Sequence, residues 1–343
     1  MAAVLDRAFA ELPGRLHPVA RLGAVVERLD RILSDSRAAG IVLAVSIPIG
    51  FGGLAAATVL LGGAVLDVWT VFEVGIVSGS LARAGSGLLG RLDGVLVAAL
   101  AAVVLFSCSS HRLLIAIAGR VVERTETDLS RAREDLRALA GRDATDLSAG
   151  EVRSAAVESA AENLADGLIA PLLGFVTGAA IASAAGRPDL ALSVAAGAAA
   201  WVKGVNTLDS MVGYPTRRIG WAPARLDDLV MWIPARVSAA LVALAAGRPA
   251  TLFAARRFAA VPESPNSGWP MATAALALDR RLEKPGAYAL NPERDLPDAA
   301  TAAVGVRIVD RAGWLGIALA TIAAGVVDLS VVGSMSMQGV LVV

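Results

Sequence analysis

The segment 203–214, KGVNTLDSMVGY, is crowded with polar side chains although it directly follows a long run of Ala, Leu and Val. If it continues the preceding helix at about 100° per residue, one face of roughly 100° carries an ammonium, an amide, two hydroxyls and a phenol. These side chains are Lys203, Asn206, Thr207, Ser210 and Tyr214, with Asp209 just outside the arc. A helix end whose Lys and Tyr extend to the membrane surface is the structural alternative. Because Asn206 and Asp209 are too short to reach water in this way, the segment is a candidate site.

A second polar face is predicted on a helix covering 157–171. Its members fall within roughly 140° of a helical wheel: Glu158, Ser159, Glu162, Asn163 and Asp166. A solvated face at a membrane surface would have the same spacing. However, no basic residue occurs between Arg153 and Arg187, so the acids lack partners one turn away. We expect Mg²⁺, another cation, or Lys203 from a neighbouring helix to supply the missing positive charge.

Two adjacent carboxylates, Asp227 and Asp228, precede a further apolar run. They are equally consistent with a helix N-cap that interacts with the helix dipole and with a metal site. Arg236 lies about two turns into the apolar run, where a charge is costly. It is expected either to pair with Asp228 or to bind a phosphate with its planar guanidinium.

The loop 262–268, PESPNSG, is rigid and rich in hydrogen-bond donors and acceptors, and a helix is predicted after it over 272–282. An ordinary loop with a helix cap is the alternative to a binding role for Asn266. The chain contains no Walker loop, no nucleophile elbow and no Rossmann glycine pattern, which argues against a soluble type of nucleotide fold.

Composition indicates an all-α, polytopic integral membrane bundle that forms one domain over 1–343. The chain is 56% hydrophobic and 18% charged, against roughly 25% charged in soluble domains. With one cysteine and two histidines, a site built on several His or Cys ligands is excluded, so any metal would have oxygen ligands, which favours Mg²⁺.

Apolar segments predict the membrane spans, with polar loops and helices on the cytoplasmic side. The predicted spans are 41–66, 92–110, 168–185, 188–202 and 312–333. The crossing of 229–247 is left open because Pro234 and Arg236 interrupt it, and a broken or in-plane segment would resolve the conflict. The turn at Gly186–Asp189 predicts a helical hairpin that returns Lys203 to the level of Asp166.

The distribution of Arg sets the orientation. Basic residues are concentrated at the N-terminus and after Ser110, so the positive-inside tendency puts both in the cytoplasm and 67–93 outside. We therefore expect a multi-pass protein of the cell membrane whose active face is cytoplasmic. A helix restart is predicted at Thr145 or Ser148, which are both good N-caps.

Taken together, the motifs resemble the membrane-bound CbiB/CobD family of cobalamin biosynthesis, adenosylcobinamide-phosphate synthase. The similarity covers roughly residues 4–311, and the matching motifs occur in the family's order. They are His17-Pro-Val19 with Gly23, Gly141-Arg-Asp143 with Leu147, Glu158–Leu172, Lys203–Tyr214, Asp227–Arg236, Ser264–Gly268 and Tyr288. The chain departs from the family pattern at Glu11-Leu-Pro13, at Met231 and over 320–343.

The resemblance implies amide formation between a propionate of adenosylcobyric acid and (R)-1-amino-2-propanol or its O-phosphate, with ATP and Mg²⁺. A carboxylate is a poor electrophile and must be activated, most simply as an acyl phosphate. That step brings together several negative charges, which need Mg²⁺ and cationic side chains. The lipid bilayer and other membrane-associated cobalamin-assembly enzymes are the expected surroundings, and no nucleic-acid partner is expected.

The resemblance also suggests a division of roles. The carboxylates would hold Mg²⁺ or accept the amine proton: Glu158, Glu162, Asp166, Asp209, Asp227 and Asp228. Three cationic side chains would contact phosphates: Arg142, Lys203 and Arg236. The remaining polar side chains would hydrogen-bond the corrin amides or the nucleotide: Asn163, Asn206, Thr207, Ser210, Tyr214 and Asn266.

Two other classes compete when the residues are read without the resemblance. A Mg²⁺-dependent membrane transferase acting on another phosphorylated alcohol would also use paired acids, although its usual spaced Asp-x-x-x-Asp signature is not found. A transporter would place intramembrane charges at broken helices, usually in repeated halves. No such repeat is evident in the sequence.

Overall fold

The computed structural model describes residues 1–9, 14, 15, 17–76, 80–141 and 143–340, with side chains described outside 66–92 and 328–340. Helices dominate this part of the chain, and one short hairpin supplies its two strands. The α-helices are α1 (Ala2–Phe9), α2 (Pro18–Ile32), α3 (Arg37–Ile76), α4 (Ser80–Ser107), α5 (His111–Thr127), α6 (Leu129–Leu136), α7 (Ala149–Leu164), α8 (Ala170–Ala184), α9 (Ala191–Val212), α10 (Trp221–Val230), α11 (Trp232–Ala245), α12 (Ala250–Ala254), α13 (Gly268–Leu278) and α14 (Ala299–Val340). The strands are β1 (Leu282–Lys284) and β2 (Tyr288–Leu290).

The predicted fold class is confirmed. Four described helical segments are long and apolar enough to cross a membrane, namely Arg37–Val65, Asp93–Thr127, Ala149–Ala184 and Ala299–Val327. A fifth crossing is available if α10 and α11, which are bent by 47°, act as one broken span. The bend falls just before Pro234, where the sequence predicted an interruption.

Helix α9 is long but is not among the four apolar segments. Lys203, Asn206 and Asp209 occupy its last part and lower its apolar character. The crossing of 188–202 therefore stays a prediction. Helix α9 is nevertheless central, because it packs against α2, α3, α4, α8 and α10.

The predicted hairpin between α8 and α9 is confirmed. Its turn uses Gly186 at φ 72°, a left-handed conformation that favours glycine, and the Arg187–Asp189 ion pair follows. The two helices approach closely because their contact consists of small residues: a Cβ at Gly178 would lie 2.7 Å from the carbonyl oxygen of Val194.

The helix restart occurs at Ser148, one of the two predicted caps. The Ser148 backbone N–H donates to the Glu151 carboxylate at 2.6 Å, and the Glu151 N–H donates to the Ser148 hydroxyl at 3.3 Å, which forms a capping box. Thr145 instead lies in a turn, where its N–H and hydroxyl both donate to Asp143.

Two helix boundaries differ from the sequence-based expectations. Of the two alternatives for Asp227 and Asp228, the structure rules out the N-cap, because α10 already begins at Trp221 and both residues lie in its last turn. The helix predicted over 272–282 is α13, which ends at Leu278 because Asp279 adopts the left-handed conformation that terminates helices. Leu282 then enters β1, which pairs antiparallel with β2.

The largest described core lies among α5, α7, α11, α13, α14 and the β1–β2 hairpin. Leu282 and Leu290, which are partners across the hairpin, are both fully buried in it. The hairpin is thereby fixed against α7, whose acidic residues belong to the predicted site.

Candidate functional site

A π-helical turn, Ala165–Ile169, interrupts the acidic face between Glu162 and Asp166. Pro171 has no N–H, so the carbonyl of Gly167 lacks its usual helical donor. The backbone N–H of Ser110 supplies the missing hydrogen bond at 2.9 Å. A Cβ at Gly167 would lie 2.8 Å from the Ser110 hydroxyl, so the close approach uses the glycine. Single π turns of this kind are frequent at functional sites.

The three predicted acids of this face have different surroundings. Glu158 is fully buried; Ser154 donates to one of its oxygens at 2.9 Å and Tyr288 to the other at 3.0 Å. It therefore joins α7 to β2. Glu162 faces a cavity, whereas Asp166 faces α9.

The charge of Lys203 on α9 acts on Asp166, and the side chain of Asn206 interacts with both Asp166 and Asp227. The helical hairpin formed by α8 and α9 thus brings the two predicted polar segments, 157–171 and 203–214, together. Asp227 adds a third element, α10, to the same cluster.

Four carboxylates from three elements interact electrostatically in this region: Asp166, Asp209, Asp227 and Asp228. Asp209 is on the part of α9 that follows the predicted membrane span 188–202. The pKa of its carboxyl group is raised to about 6, mainly by burial and then by the charges of Asp228 and Asp166. The Asp209 carboxylate rests against Gly213, where a Cβ would lie 1.8 Å from its Oδ1. Gly213 therefore leaves the space that the carboxylate occupies.

Asp227 has a buried oxygen, Oδ1, with no hydrogen-bond partner within the part of the chain that the structure describes. Such an atom is costly unless a cation or a donor satisfies it. Among the described residues, no group of three or more His, Cys, Asp or Glu side chains is arranged to hold a metal by itself. Mg²⁺ is commonly held by one or two carboxylates, substrate phosphates and water, and the chemistry of this donor set fits that mode.

Arg236 is held in place by its neighbours. Its guanidinium stacks over Trp232 and Trp269, with ring centroids 4.3 and 5.1 Å away, and Nη1 donates to Asn266 Oδ1 at 2.8 Å. Asn266 in turn donates to the backbone carbonyl of Asp228 at 2.8 Å. Arg236 is therefore linked to Asp228 through Asn266, while the Asp228 carboxylate pairs with Arg225 at 3.4 Å.

Two cavities with charged side chains in their walls lie on either side of the loop 262–267. The first, called the hairpin cavity because it lies beside the β1–β2 hairpin, has a volume of about 600 Å³. Its lining includes Ser159, Glu162, Lys284 and Tyr288. The helix-break cavity, of about 560 Å³, is lined by the carboxylates at the end of α10 together with Asp209, Tyr214, Trp221 and Arg225. Both volumes are in the range of small-molecule sites.

Glu263 and Ser264 line both cavities, which makes the loop the partition between them. The motif 262–268 predicted a binding role only for Asn266, and Glu263, Lys284 and Arg225 were not among the predicted site residues. A signal for Glu263 was present, because it is a charged residue between two prolines. Lys284 could be located only with the register of the hairpin.

The other predicted residues are distributed as follows. Asn163 donates to the carbonyl of Ser159 and Ser210 to that of Thr207, so both bond to their own helices. Thr207 is buried, and Tyr214 is 56% exposed in the helix-break cavity. Arg142 and Glu11-Leu-Pro13 lie outside the described residues. Met231, a departure from the family pattern, is buried against Ala165, Ala170 and Val202.

Membrane-length helices around a carboxylate-rich polar centre define a multi-pass helical membrane protein. The chain belongs to the CobD/CbiB family of cobalamin biosynthesis, because the family model described as "CobD/Cbib protein" matches residues 1–315.

Curated relatives agree with this assignment. The "Probable cobalamin biosynthesis protein CobD" of Methanothrix thermoacetophila is 34% identical over 327 residues, 94% of each chain. The "Cobalamin biosynthesis protein CobD" of Geobacter metallireducens is 35% identical over 303 residues, 84% of this chain and 81% of that protein. The protein of the same description from Rhodobacter capsulatus is 43% identical over 167 residues, 47% of this chain and 48% of its own length. No solved structure matches the chain.

Proposed function

We propose that this chain catalyses the ATP-dependent formation of an amide between a propionate side chain of adenosylcobyric acid and (R)-1-amino-2-propanol or its O-phosphate. The product would be adenosylcobinamide or its phosphate. The observation that carries the proposal is the group of carboxylates around the unsatisfied oxygen of Asp227, next to Lys203. In a chain of the cobalamin-biosynthesis family, carboxylates that can hold Mg²⁺ next to a cationic side chain support a reaction between a triphosphate and a carboxylate.

Asp227 and Asp228 are the proposed Mg²⁺ ligands, with Asp166 and Asp209 completing the negative field from α9 and the π turn. Bound there, Mg²⁺ would neutralise phosphate charge and polarise a phosphoryl oxygen. Like-charged carboxylates repel one another, so the residues themselves favour occupation by a cation. Glu162, also predicted as a metal ligand, faces the hairpin cavity instead.

The helix-break cavity has the residues to bind the nucleotide. Arg225 places a guanidinium at its wall, and this group can contact phosphate oxygens in a bidentate manner. Tyr214 and Trp221 are 56% and 45% exposed and offer flat aromatic surfaces for an adenine or a corrin ring. Lys203 adds a positive charge beside Asp166.

The hairpin cavity has the residues to bind the amino alcohol. The carboxylates of Glu162 and Glu263 suit an ammonium group, and Lys284 suits the phosphate of an O-phosphorylated form. The hydroxyls of Ser159 and Ser264 can donate to or accept from the alcohol oxygen.

The proposed location is the cell membrane, with the site open to the cytoplasm, where ATP is available. The Arg distribution assigns the segment after Ser110 to that side, and the helical hairpin 168–202 is expected to return the chain there before the helix-break cavity. Contact with other membrane-associated enzymes of cobalamin assembly is part of this proposal, because a bulky corrinoid would have to reach the same face.

The test is conversion of adenosylcobyric acid by the purified full-length protein in detergent, with ATP, Mg²⁺ and aminopropanol or its phosphate, followed by mass spectrometry of the corrinoid. We expect a product with the mass of the amide, formed only when ATP is present. Lys203→Ala should abolish the product without preventing membrane insertion, and Lys284→Ala should affect mainly the phosphorylated amine. Passage of unmodified corrinoid into vesicles, with no product, would favour the transporter alternative.

A further inference from the structure

Glu263 occupies the boundary between the two cavities. Its side chain is exposed and lines the hairpin cavity together with Glu162 and Lys284. It also lines the helix-break cavity together with Asp228 and Arg225. A molecule in either cavity can therefore reach it, which suits a group that acts where two substrates meet.

The loop that carries Glu263 is held firmly. The Ser264 hydroxyl accepts from the backbone N–H groups of Asn266 and Ser267 at 3.2 and 3.4 Å. Asn266 is 4% exposed and connects the loop to Arg236 and to the carbonyl of Asp228. These contacts fix the backbone that directly follows Glu263, while the Glu263 carboxylate faces the cavities.

Neighbouring carboxylates are engaged in other contacts. Glu158 accepts hydrogen bonds from Ser154 and Tyr288. Asp228 pairs with Arg225. The charge of Lys203 acts on Asp166. Glu162 lines only the hairpin cavity, and the carboxylates of Asp209, Asp227 and Asp228 line only the helix-break cavity. Glu263 lines both cavities, which places it for proton transfer at their boundary.

We propose that Glu263 is the base that accepts the proton of the attacking amine. This inference rests on the proposed amide-forming function. The amine nitrogen forms a bond to the carbon of the propionate carboxyl, which has been activated by a nucleoside triphosphate. The bond from that carbon to the phosphate-bearing oxygen breaks, and the electron pair leaves with phosphate. One N–H proton passes to the Glu263 carboxylate, so that a neutral amide remains.

The test compares two nucleophiles on Glu263→Gln, using the full-length protein in detergent. Aminopropanol needs a proton acceptor, whereas hydroxylamine is a weak base that is unprotonated at pH 7 and loses its proton readily after addition. General-base catalysis typically contributes roughly 100-fold to 10,000-fold in rate. We expect E263Q to lose about 100-fold or more of the rate with aminopropanol while hydroxamate formation from hydroxylamine stays within about threefold of the wild type.

Two further variants complete the design. Glu263→Asp keeps the carboxylate and should recover part of the aminopropanol rate that E263Q loses. Glu293→Gln removes an exposed carboxylate that lines neither cavity and should behave like the wild type.

The proposal is overturned if E263Q forms the aminopropanol amide at the wild-type rate. It is also overturned if hydroxamate formation falls by the same factor, because Glu263 would then act in activation of the carboxyl group. Failure of the proposed function is distinguishable from both results, since the wild type itself would then form neither the amide nor the hydroxamate.

Discussion

Asp227 shows how a single atom can indicate a ligand. Its Oδ1 is buried without a described hydrogen-bond partner, and an unsatisfied buried oxygen costs about 1–3 kcal/mol, or more for a charged group. The residue lies among other acids from α9 and the π turn. An unsatisfied carboxylate oxygen among other acids is typical of a functional site. Because the neighbouring groups are negatively charged, the ligand that this site favours is a cation.

Asp227→Asn should therefore have opposite effects on stability and on Mg²⁺ binding. Without Mg²⁺, the variant should unfold a few degrees higher than the wild type, because asparagine removes the cost of burying a carboxyl group among other acids. The midpoint of the wild type should rise on adding Mg²⁺, and that of D227N should not. Thermal unfolding in detergent with and without Mg²⁺ measures both effects.

Asp146→Asn is the matched control, since Asp146 is exposed and lines neither cavity. It should keep the Mg²⁺-dependent rise of the wild type. An equal rise for D227N and the wild type would contradict the assignment of Asp227 to the cation.

Single residues could be predicted where their chemistry is local. The relation of Lys203 to Asp166 followed from the turn at Gly186 and the lengths of the two helices. By contrast, the partnership of Glu158 with Tyr288 depends on how the hairpin docks on α7, and no local pattern contains that information. Asn266 was expected to face a ligand, but its carbonyl and amide groups are both used within the protein.

At the scale of elements, the break between α10 and α11 and the loop 262–267 form one unit. Arg236 lies over the rings of two tryptophans, Trp232 of α11 and Trp269 of α13. Through Asn266 it also fixes the backbone at the end of α10. The position of the carboxylates on α10 is thereby coupled to the position of the loop.

Arg236→Ala should loosen the loop without unfolding the bundle. The backbone amides of Asn266 and Ser267 should exchange with deuterium at least about tenfold faster, because their bonds to Ser264 depend on a fixed loop. Hydrogen–deuterium exchange with mass spectrometry measures this, and amide formation should fall in parallel.

Arg248→Ala provides the comparison, since Arg248 is an exposed arginine away from both cavities. It should leave the exchange of the loop unchanged. Unaltered exchange at Asn266 in R236A would show that the loop does not depend on Arg236.

Element boundaries were less predictable than element types. The sequence indicated a cap at Ser148, and the structure has one there. It did not indicate where α10 begins, because Gly220 and Trp221 give a weak start signal, and Asp227 and Asp228 looked like a stronger one. The π turn had a signal in Pro171, but the donor that compensates it comes from Ser110, which is distant in sequence.

At the scale of the whole molecule, the apolar helices surround a polar centre. Helix α9 packs against both the N-terminal helices and α8, and its polar end joins α10 and the π turn. The bundle was predictable from hydropathy alone, since long uncharged segments have few alternatives to a membrane helix. The two cavities were not, because their walls come from segments that are far apart in the sequence.

The arrangement predicts that the α8–α9 turn and the site lie on opposite sides of the membrane. Cysteines introduced at Arg187 and at Tyr214, which are both exposed, should react differently with a membrane-impermeant maleimide applied to intact cells. Arg187→Cys should be labelled, and Tyr214→Cys should be labelled only after the membrane is opened. Native Cys108 is buried and should give little background. Labelling of both positions from the same side would mean that α8 and α9 do not cross.

The measurement that tests the central claim most directly follows the oxygen atoms of the propionate. Adenosylcobyric acid labelled with ¹⁸O in its free carboxyl group is incubated with the purified protein, ATP, Mg²⁺ and aminopropanol phosphate, and both products are analysed by mass spectrometry. If ATP activates the carboxyl group at this site, the amide should retain one labelled oxygen and the released phosphate should contain the other. Amide formation that leaves all released phosphate unlabelled, or that proceeds without ATP, would contradict the account.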